Sequence, residues 1–335
     1  MSKQPLALHR LTGISPKAYE HPADRAATAA LQAIPMLDTV VRRLIEFGYE
    51  RAFRQGFLAS SVKLGERQLP EVWALYTDAL ATLDLPETYD LYVTQNPIAN
   101  AAAIGSGKPM IVLNSELVAL LDGGELRTAL AHELGHVLSD HVLYRTALLM
   151  LLQVTGATRL PMLAGLPLLA IRSALLEWSR ATELSCDRAS TLVNRDPLVT
   201  CRTMMAVAGG TASRRLDLDA FLKQATEYDE WDSGLDKASR FFRELSLTHA
   251  YPVRRVSEIM KWVQSGEFDH IMGGHYPRRD DPVDPRHEAG GAVEFYAERF
   301  RTIFREAGDS AGNTGDRLGG WLRGGASKPN GPPEP

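Results

Sequence analysis

The chain has 335 residues, of which 44% are hydrophobic and 23% are charged, and its formal net charge is −4. This composition is typical of globular proteins and excludes wholesale disorder, and the slight acidic excess argues against a nucleic-acid-binding surface. The two cysteines, Cys186 and Cys201, are too few for a disulfide framework. Residues 1–10 lack a continuous apolar stretch, which predicts no signal peptide and a cytoplasmic protein.

The first part of the chain, residues 1–86, is predicted to be a helical N-terminal region. Its first 22 residues contain three prolines and predict an irregular lead-in. Apolar residues then recur at three- and four-residue steps from Val40 to Phe57, which is typical of an amphipathic helix. A second helix is predicted from Glu71 to Leu83, closed by Pro86.

The pattern changes at Tyr89, where two short runs predict strands at Tyr89–Thr94 and Pro109–Leu113. Between them lie Asn100, Ala101, Ala102 and further small residues up to Gly105. Small side chains allow another molecule to approach the backbone closely. A short helix is predicted after Ser115, and a longer one from near Glu125 through His136.

Residues 142–176 contain two charge-free apolar runs, interrupted by Arg159, Pro161 and Pro167. A membrane-spanning helix needs about 18–20 consecutive apolar residues, and neither run is that long. We therefore favour a buried helical hairpin. A hairpin that contacts a membrane surface or docks a partner is the main alternative, and a pair of spanning helices is the third.

These features predict an α+β protein that is mostly helical. Its core is expected to extend over residues 87–266, with a small β-sheet and the apolar hairpin. Residues 267–306 are predicted to form a C-terminal helical extension. Residues 307–335 are rich in Gly, Pro, Ser and Asn and predict a disordered tail.

The most informative residues are His132, Glu133 and His136, which form an HExxH motif in an apolar-periodic helix. Residues four apart on a helix differ in azimuth by about 40°, so both imidazoles face the same way and can share one metal ion. Glu133 lies one step off that face, within reach of a water molecule on the metal. The motif therefore predicts a Zn²⁺ site, with one ion per chain.

A catalytic zinc site uses three protein ligands and keeps one position open. His141 lies five residues after His136, about 140° around a continuous helix, so an exposed or capping role is expected for it. Glu183 is the better third ligand. Asp187 lies four residues later on the same helix face, where it can accept a hydrogen bond from a ligating histidine. Cys186 is expected to be a small buried thiol, with an inhibitory zinc thiolate as the remote alternative.

An HExxH motif followed 47 residues later by Glu-x-x-x-Asp resembles the HtpX-like and CaaX-prenyl-protease-like zinc endopeptidases, a branch of the gluzincins. Two further segments carry the resemblance. One runs from Asn100-Ala101 to Leu113, and the other is the Thr-His element at Thr248-His249 with its downstream Arg255. Ala250 and Tyr251 stand where prolines are usual. The resemblance covers residues 89–265.

This resemblance implies a zincin-like metallopeptidase core, a polypeptide substrate and metal-assisted amide hydrolysis. Glu133 would be the general base. His249 is the candidate donor to the oxyanion, with a structural role as the alternative. Arg255 could orient Asp187 or another carboxylate, and a position on the surface of a helix is an equally favoured alternative for it. Substrate backbone would pair with an exposed sheet edge at Asn100–Ile104 or at Met110–Leu113, and the former is preferred.

Three hypotheses about function follow. The first is an active zinc endopeptidase. The second is an inactive interaction module that keeps the zinc fold and acts through residues 142–176 or the tail, at a membrane surface or on a partner protein. The third is a latent enzyme whose cleft is covered by the N-terminal segment or by the hairpin. The presence of Glu133 argues against the second, because an inactive protein does not need a general base.

Overall fold

The computed structural model describes residues 9–33, 41–42, 50–157, 162–230 and 249–281, without the side chains of 50, 154–157 and 162–170. In these ranges the helices are α1 (Pro22–Gln32), α2 (Glu50–Ser60), α3 (Pro70–Thr82), α4 (Ser115–Leu120), α5 (Gly123–Leu138), α6 (Val142–Ala157), α7 (Met162–Asn194), α8 (Pro197–Gly209), α9 (Leu218–Glu230), α10 (Pro252–Gln264) and α11 (Glu267–Met272). The strands are β1 (Val62–Lys63), β2 (Asp90–Thr94), β3 (Ala101–Ile104) and β4 (Met110–Asn114). The predicted tail, and the predicted C-terminal extension after residue 281, lie outside the described residues.

A four-stranded sheet with the order β1-β2-β4-β3 accompanies these helices. β2 and β4 are parallel, whereas β1 and β3 are antiparallel to their neighbours. The predicted strands at Tyr89–Thr94 and Pro109–Leu113 correspond to β2 and β4, and the segment of small residues forms β3. The predicted α+β class, mostly helical with a small sheet, is confirmed.

The HExxH helix α5 begins with a capping box. The Asp122 carboxylate accepts the Glu125 N–H, and the Glu125 carboxylate accepts the Asp122 N–H. These two bonds satisfy N–H groups that have no partner inside the helix. The helix therefore starts two residues earlier than predicted, with Gly123 and Gly124 in its first turn rather than before it.

Helices α5 and α7 pack closely at Gly135, between the two histidines of the motif. A Cβ atom added to Gly135 would lie 3.1 Å from Ala189 Cβ and 3.4 Å from Cys186 Cα. Leu130 and Leu134 of α5 lie with Leu192 of α7 in the largest buried apolar cluster. This packing brings the motif on α5 against the stretch of α7 that contains Glu183 and Asp187.

The apolar segment 142–176 contains α6 and the first part of α7, and residues 158–161 between them lie outside the described residues. Its described half is buried against α1 in a second apolar cluster. The members of that cluster are Ala27, Ala30, Leu31, Val41, Leu143, Tyr144, Ala147, Leu148, Met150, Ala174, Leu175, Leu176, Trp178 and Ala181. Within the described ranges, no helix has the length and apolar composition needed to cross a bilayer.

The N-terminal segment is more regular than predicted. It contains a short 3₁₀ helix (Pro16–Ala18), followed by α1, which begins at Pro22. The Trp178 indole donates a hydrogen bond to Thr28 Oγ1 at 2.8 Å, and the His21 N–H donates to Ser185 Oγ at 2.9 Å. α1 is therefore held against α7 by polar contacts as well as by the second apolar cluster.

Candidate metal centre

Helix α5 places the two histidines of the motif side by side. His132 Nε2 and His136 Nε2 are 3.2 Å apart, and both side chains are buried. Glu133 points to the sheet, where its Oε2 accepts a hydrogen bond of 2.7 Å from the N–H of Ala103 in β3. This bond fixes one oxygen of the predicted general base against β3.

Helix α7 brings Glu183 to the same point, as predicted from the spacing of the motifs. Its Oε2 is 3.3 Å from His132 Nε2, and its Oε1 is 3.3 Å from His136 Nε2. Ligand atoms at about 2.0–2.1 Å from a tetrahedral zinc ion lie about 3.3–3.4 Å from one another. The separations between these three side chains therefore suit a single zinc ion.

One oxygen of Glu183 supports this fit. Its Oε2 is fully buried and accepts no hydrogen bond within the described part of the chain. A buried acceptor without a hydrogen bond is unfavourable unless another group compensates it. Arg255 Nη1, 3.3 Å from this oxygen, provides part of that compensation. A cation coordinated by this oxygen and the two imidazoles would add to it.

His132 is held from behind by a buried ion pair between α7 and α10. Its Nδ1 is 3.1 Å from Asp187 Oδ1. Arg255 donates to both oxygens of Asp187, from Nε at 2.7 Å and from Nη2 at 2.5 Å. Of the alternatives left open for Arg255, the structure shows a contact with Asp187 rather than a surface position. Asp187 in turn faces the ring of His132.

Arg145 of α6, which the sequence analysis did not consider, lies directly at the site. Its Nη1 donates to Glu183 Oε1 and lies equally close, at 2.6 Å, to His136 Nε2. Its Nη2 is 4.0 Å from Glu133 Oε2. Arg145 lies among apolar residues three positions after the start of α6, and this local pattern does not indicate a contact with a metal site. The contact is revealed only by the packing of α6 over the site.

The charges at the site shift the pKa values of Glu183 and His132 in opposite directions. Burial alone would raise the pKa of Glu183, but the positive charge at His249, His132 and Arg255 holds that pKa well below its usual range. Burial opposes protonation of His132, yet the charge of Glu183 and hydrogen bonds to Asp187 and Glu183 raise its pKa to about 9. Glu183 is therefore ionised, and the two side chains form a buried pair of opposite charges.

His136 behaves differently from His132. Burial and the adjacent Arg145 guanidinium lower the pKa of His136 well below its ordinary value, so its ring is neutral. A neutral imidazole has one nitrogen with a free lone pair, which is the form that binds metals.

Cys186 also lies near the two imidazoles. Its thiol and one nitrogen from each of His132 and His136 all lie within 4.8 Å of one another, so the three form a potential metal-binding group. Glu183 is closer to both imidazoles. In addition, burial and the charge of Glu183 raise the pKa of the Cys186 thiol well above its usual value. Cys186 is fully buried, which agrees with the predicted small buried thiol, and Glu183 is the side chain nearer to both imidazoles.

The prediction that His141 is exposed is wrong, because its side chain is 2% exposed. The capping alternative agrees with its position, since His141 directly precedes α6 and its carbonyl accepts a hydrogen bond from the Arg145 N–H. The error comes from treating α5 as continuous, whereas α5 ends at Leu138 and the chain turns at Asp140 with a positive φ of 56°. His141 thereby lies behind His136, with its Nδ1 3.2 Å from His136 Nδ1. Its other nitrogen, Nε2, is 3.3 Å from Asp24 Oδ2 in α1.

The remaining predicted residues lie at the rim of the site. His249 is one-third exposed, and its Nε2 is 3.8 Å from Glu183 Oε2. Asn100 directly precedes β3, and Ala101 and Ala102 are the first residues of that strand. In the described strand order β3 is at the end, whereas β4 is paired on both sides. Met110–Leu113 therefore cannot offer the free edge, which leaves the preferred segment as the predicted substrate edge.

Two comparisons with known proteins bear on this geometry. The sequence model described as "Peptidase family M48" matches residues 66–263. The plastoglobule-localized metallopeptidase 48 of the Arabidopsis thaliana chloroplast is 36% identical over 259 residues, which cover 76% of this chain and 74% of that protein. No solved structure matches the chain.

The family match spans more than half of the chain, and it contains both α5 and the Glu183–Asp187 stretch of α7. The relative is similar over a longer range and has the word metallopeptidase in its name. These findings agree with the resemblance inferred from the motifs. The chain therefore belongs to peptidase family M48 and is a metallopeptidase, a hydrolase that acts on polypeptides.

Proposed function

We propose that this metallopeptidase is a zinc-dependent endopeptidase that uses Glu133 as its general base. The observation that carries the proposal is the convergence of His132 Nε2, His136 Nε2 and the Glu183 carboxylate at 3.2–3.3 Å. Two imidazoles and one carboxylate are a donor set that zinc prefers in catalytic sites.

His132, His136 and Glu183 would hold the ion, and His132 would lose the proton on its Nε2 when the ion binds. Binding at His136 Nε2 would replace the contact with Arg145, which keeps its bond to Glu183 Oε1. A bound zinc ion supplies a Lewis acid that polarises a peptide carbonyl and lowers the pKa of a water molecule.

Glu133 is placed to move the proton. Its Oε2 is held by the Ala103 N–H, so the carboxylate keeps one orientation next to the imidazoles. In the proposed reaction it accepts a proton from the attacking water and delivers it to the leaving nitrogen. His249, which is partly exposed beside Glu183, is the proposed donor to the developing oxyanion.

The substrate is proposed to pair with β3. The N–H of Ala103 points away from β4 and toward Glu133, so the outer side of β3 faces the proposed base. An extended peptide paired with this side would present its backbone to Glu133 and the metal site. The small side chains of Ala101 and Ala102 allow that approach.

The test is metal analysis and casein cleavage by the wild-type chain and by Glu133→Gln. We expect one zinc ion per chain in both proteins and a fall in cleavage rate of about 10²–10⁴-fold in the variant, the usual contribution of a general base. Glu71→Gln makes the same chemical change at an exposed position in the first turn of α3 and should leave cleavage unchanged. Cleavage by Glu133→Gln at the wild-type rate would contradict the proposal.

The comparisons do not favour the interaction-module alternative. It would gain support if zinc were bound in both proteins and neither cleaved casein. The name of the relative locates that protein at plastoglobules. For this chain, peripheral membrane contact through residues 142–176 and a cytoplasmic location both stay predictions.

A further inference from the structure

The second ring nitrogen of His136 begins a chain of buried polar groups that leads away from the proposed zinc site. His136 Nδ1 is 3.2 Å from His141 Nδ1, and His141 Nε2 is 3.3 Å from Asp24 Oδ2. Asp24 also accepts hydrogen bonds from Ser185 Oγ at 2.5 Å and Thr28 Oγ1 at 3.1 Å. The side chains of Asp24, His136 and His141 are 2% exposed or less.

The direction of these hydrogen bonds follows from Arg145. Its Nη1 lies 2.6 Å from His136 Nε2, and a guanidinium can only donate, so Nε2 has a free lone pair. With Nε2 an acceptor, the ring proton of His136 is on Nδ1, and it is donated to His141 Nδ1. His141 then has its own proton on Nε2, facing the Asp24 carboxylate.

This arrangement suits a metal ligand. A histidine that coordinates a metal through one nitrogen usually donates its other N–H to a group that fixes its tautomer and ring orientation. Cys186 Sγ is the other neighbour of His141 Nδ1, at 3.8 Å, so the shorter contact with His136 is the main one. Asp24 in turn has two hydroxyl donors that hold its own oxygens in place.

We propose that His141 and Asp24 are positioning residues for the metal ligand His136, and that α1 is thereby part of the metal centre. The proposal rests on the proposed function, since it assumes that His136 binds zinc. Asp24 lies outside the range that matches the family, residues 66–263. His141 transmits the effect of Asp24, and neither residue contacts the metal or the substrate.

The test is the zinc affinity of the full chain, measured by competition with a chromophoric chelator. His141→Phe keeps a ring but removes both ring nitrogens, and we expect a loss of zinc affinity of about 10–100-fold. His141→Gln offers a side-chain oxygen that can accept the His136 N–H, so it should recover part of that loss. Asp24→Ala should weaken binding less than His141→Phe, and Asp24→Asn should weaken it least.

Glu258→Gln is the matched control. Glu258 of α10 pairs with His21 at the start of α1 at 3.2 Å, so this variant weakens the attachment of the same helix without touching the His136–His141–Asp24 chain. Its zinc affinity should equal that of the wild type. Wild-type affinity in both His141→Phe and Asp24→Ala, with both variants folded, would overturn the proposal.

A measurement on the wild-type chain does not depend on how the variants fold. In the zinc-loaded chain labelled with ¹⁵N-histidine, NMR should show His136 protonated at Nδ1 and His141 neutral with its proton on Nε2. A proton on Nδ1 of His141 would overturn the proposal. A wild-type chain that binds no zinc would contradict the proposed function itself, whereas a zinc-binding chain with insensitive variants contradicts only the role of His141 and Asp24.

Discussion

The two histidines of the HExxH motif are supported in different ways. Behind His132 lies a buried ion pair, in which Arg255 donates two hydrogen bonds to Asp187. Behind His136 lies the ring of His141, and only then the carboxylate of Asp24. The first arrangement places two opposite charges next to a ligand, and the second moves the negative charge one ring further away.

This difference has an electrostatic consequence at the metal site. Glu183 is equally close to both rings. With Asp187 it raises the pKa of His132, whereas burial and Arg145 outweigh its effect at His136 and lower the pKa of that ring. The residues behind the two histidines also lie in different parts of the chain. Asp187 and Arg255, behind His132, both fall within the family match to residues 66–263. Of the two residues behind His136, the match contains His141 but not Asp24.

The largest expected effect is on the His132 side. Arg255→Ala would leave Asp187 as a buried charge without its main partner, which costs about 3–5 kcal/mol of unfolding free energy in comparable buried pairs. Asp24→Asn should cost clearly less, because the amide can keep hydrogen bonds to its neighbours. Urea unfolding of both variants measures the difference.

Arg255→Lys is the control for charge. A lysine keeps the positive charge but cannot donate the paired hydrogen bonds that Arg255 makes. The unfolding free energy of Arg255→Lys should therefore lie between those of the wild type and Arg255→Ala. If Arg255→Ala lost no more stability than a surface substitution, about 0.5 kcal/mol, the ion pair would not be the stronger of the two supports.

The same comparison explains what the sequence could predict. His132 and His136 are four residues apart, and so are Glu183 and Asp187. Helical periodicity places the two members of each pair on one helix face, so this much could be predicted from the sequence. Arg255 could be proposed because the Thr-His element near it resembles that of a known family. The strands β2 and β4 followed from their apolar pattern.

Asp24, His141 and Arg145 could not be found in this way. Asp24 is separated from His141 by 117 positions, and only the packing of α1 against α7 brings it to the site. His141 was misjudged because a turn at Asp140 interrupts the helix on which its azimuth was calculated. Such contacts depend on tertiary packing, which leaves no local pattern in the sequence.

A substitution between the two supports should affect both histidines. Gly135→Ala would place a Cβ atom 3.1 Å from Ala189 Cβ and 3.4 Å from Cys186 Cα, so α5 and α7 must move apart. Overpacking costs about 1–3 kcal/mol, and the better helix propensity of alanine offsets about 1 kcal/mol of that cost. We expect a net loss of about 1 kcal/mol in thermal or urea unfolding, and weaker zinc binding because Glu183 moves away from both rings.

Two variants check that this loss comes from the contact between the helices. Gly124→Ala lies in the first turn of the same helix, where an added Cβ would meet Val199 Cγ1 at an ordinary 3.5 Å, so stability should not fall. Adding Ala189→Gly to Gly135→Ala removes the nearest contact and should restore zinc affinity. No recovery in the double variant would show that the helices are not held apart at this point.

The smallest expected effect concerns the pair of His21 and Glu258, which connects the start of α1 to α10. Glu258 lies one turn after Arg255 in α10, and it accepts a hydrogen bond from His21, at the start of the helix that contains Asp24. That hydrogen bond, opposed by burial and helped by Lys261, lowers the pKa of Glu258 to about 2 from a reference value of 4.5.

Because the folded-state pKa is depressed, the stability that Glu258 contributes is fully present above the pKa of the unfolded state. It is lost as the pH falls from about 4.5 toward 2. For a partly exposed pair it amounts to about 1 kcal/mol or less. Unfolding curves of the wild type and Glu258→Gln should therefore differ most at pH 6 and converge as the pH falls from 4.5 to 3. If the stability difference between the wild type and Glu258→Gln stayed constant over this pH range, the ionised Glu258 carboxylate would not stabilise the contact between α10 and the start of α1.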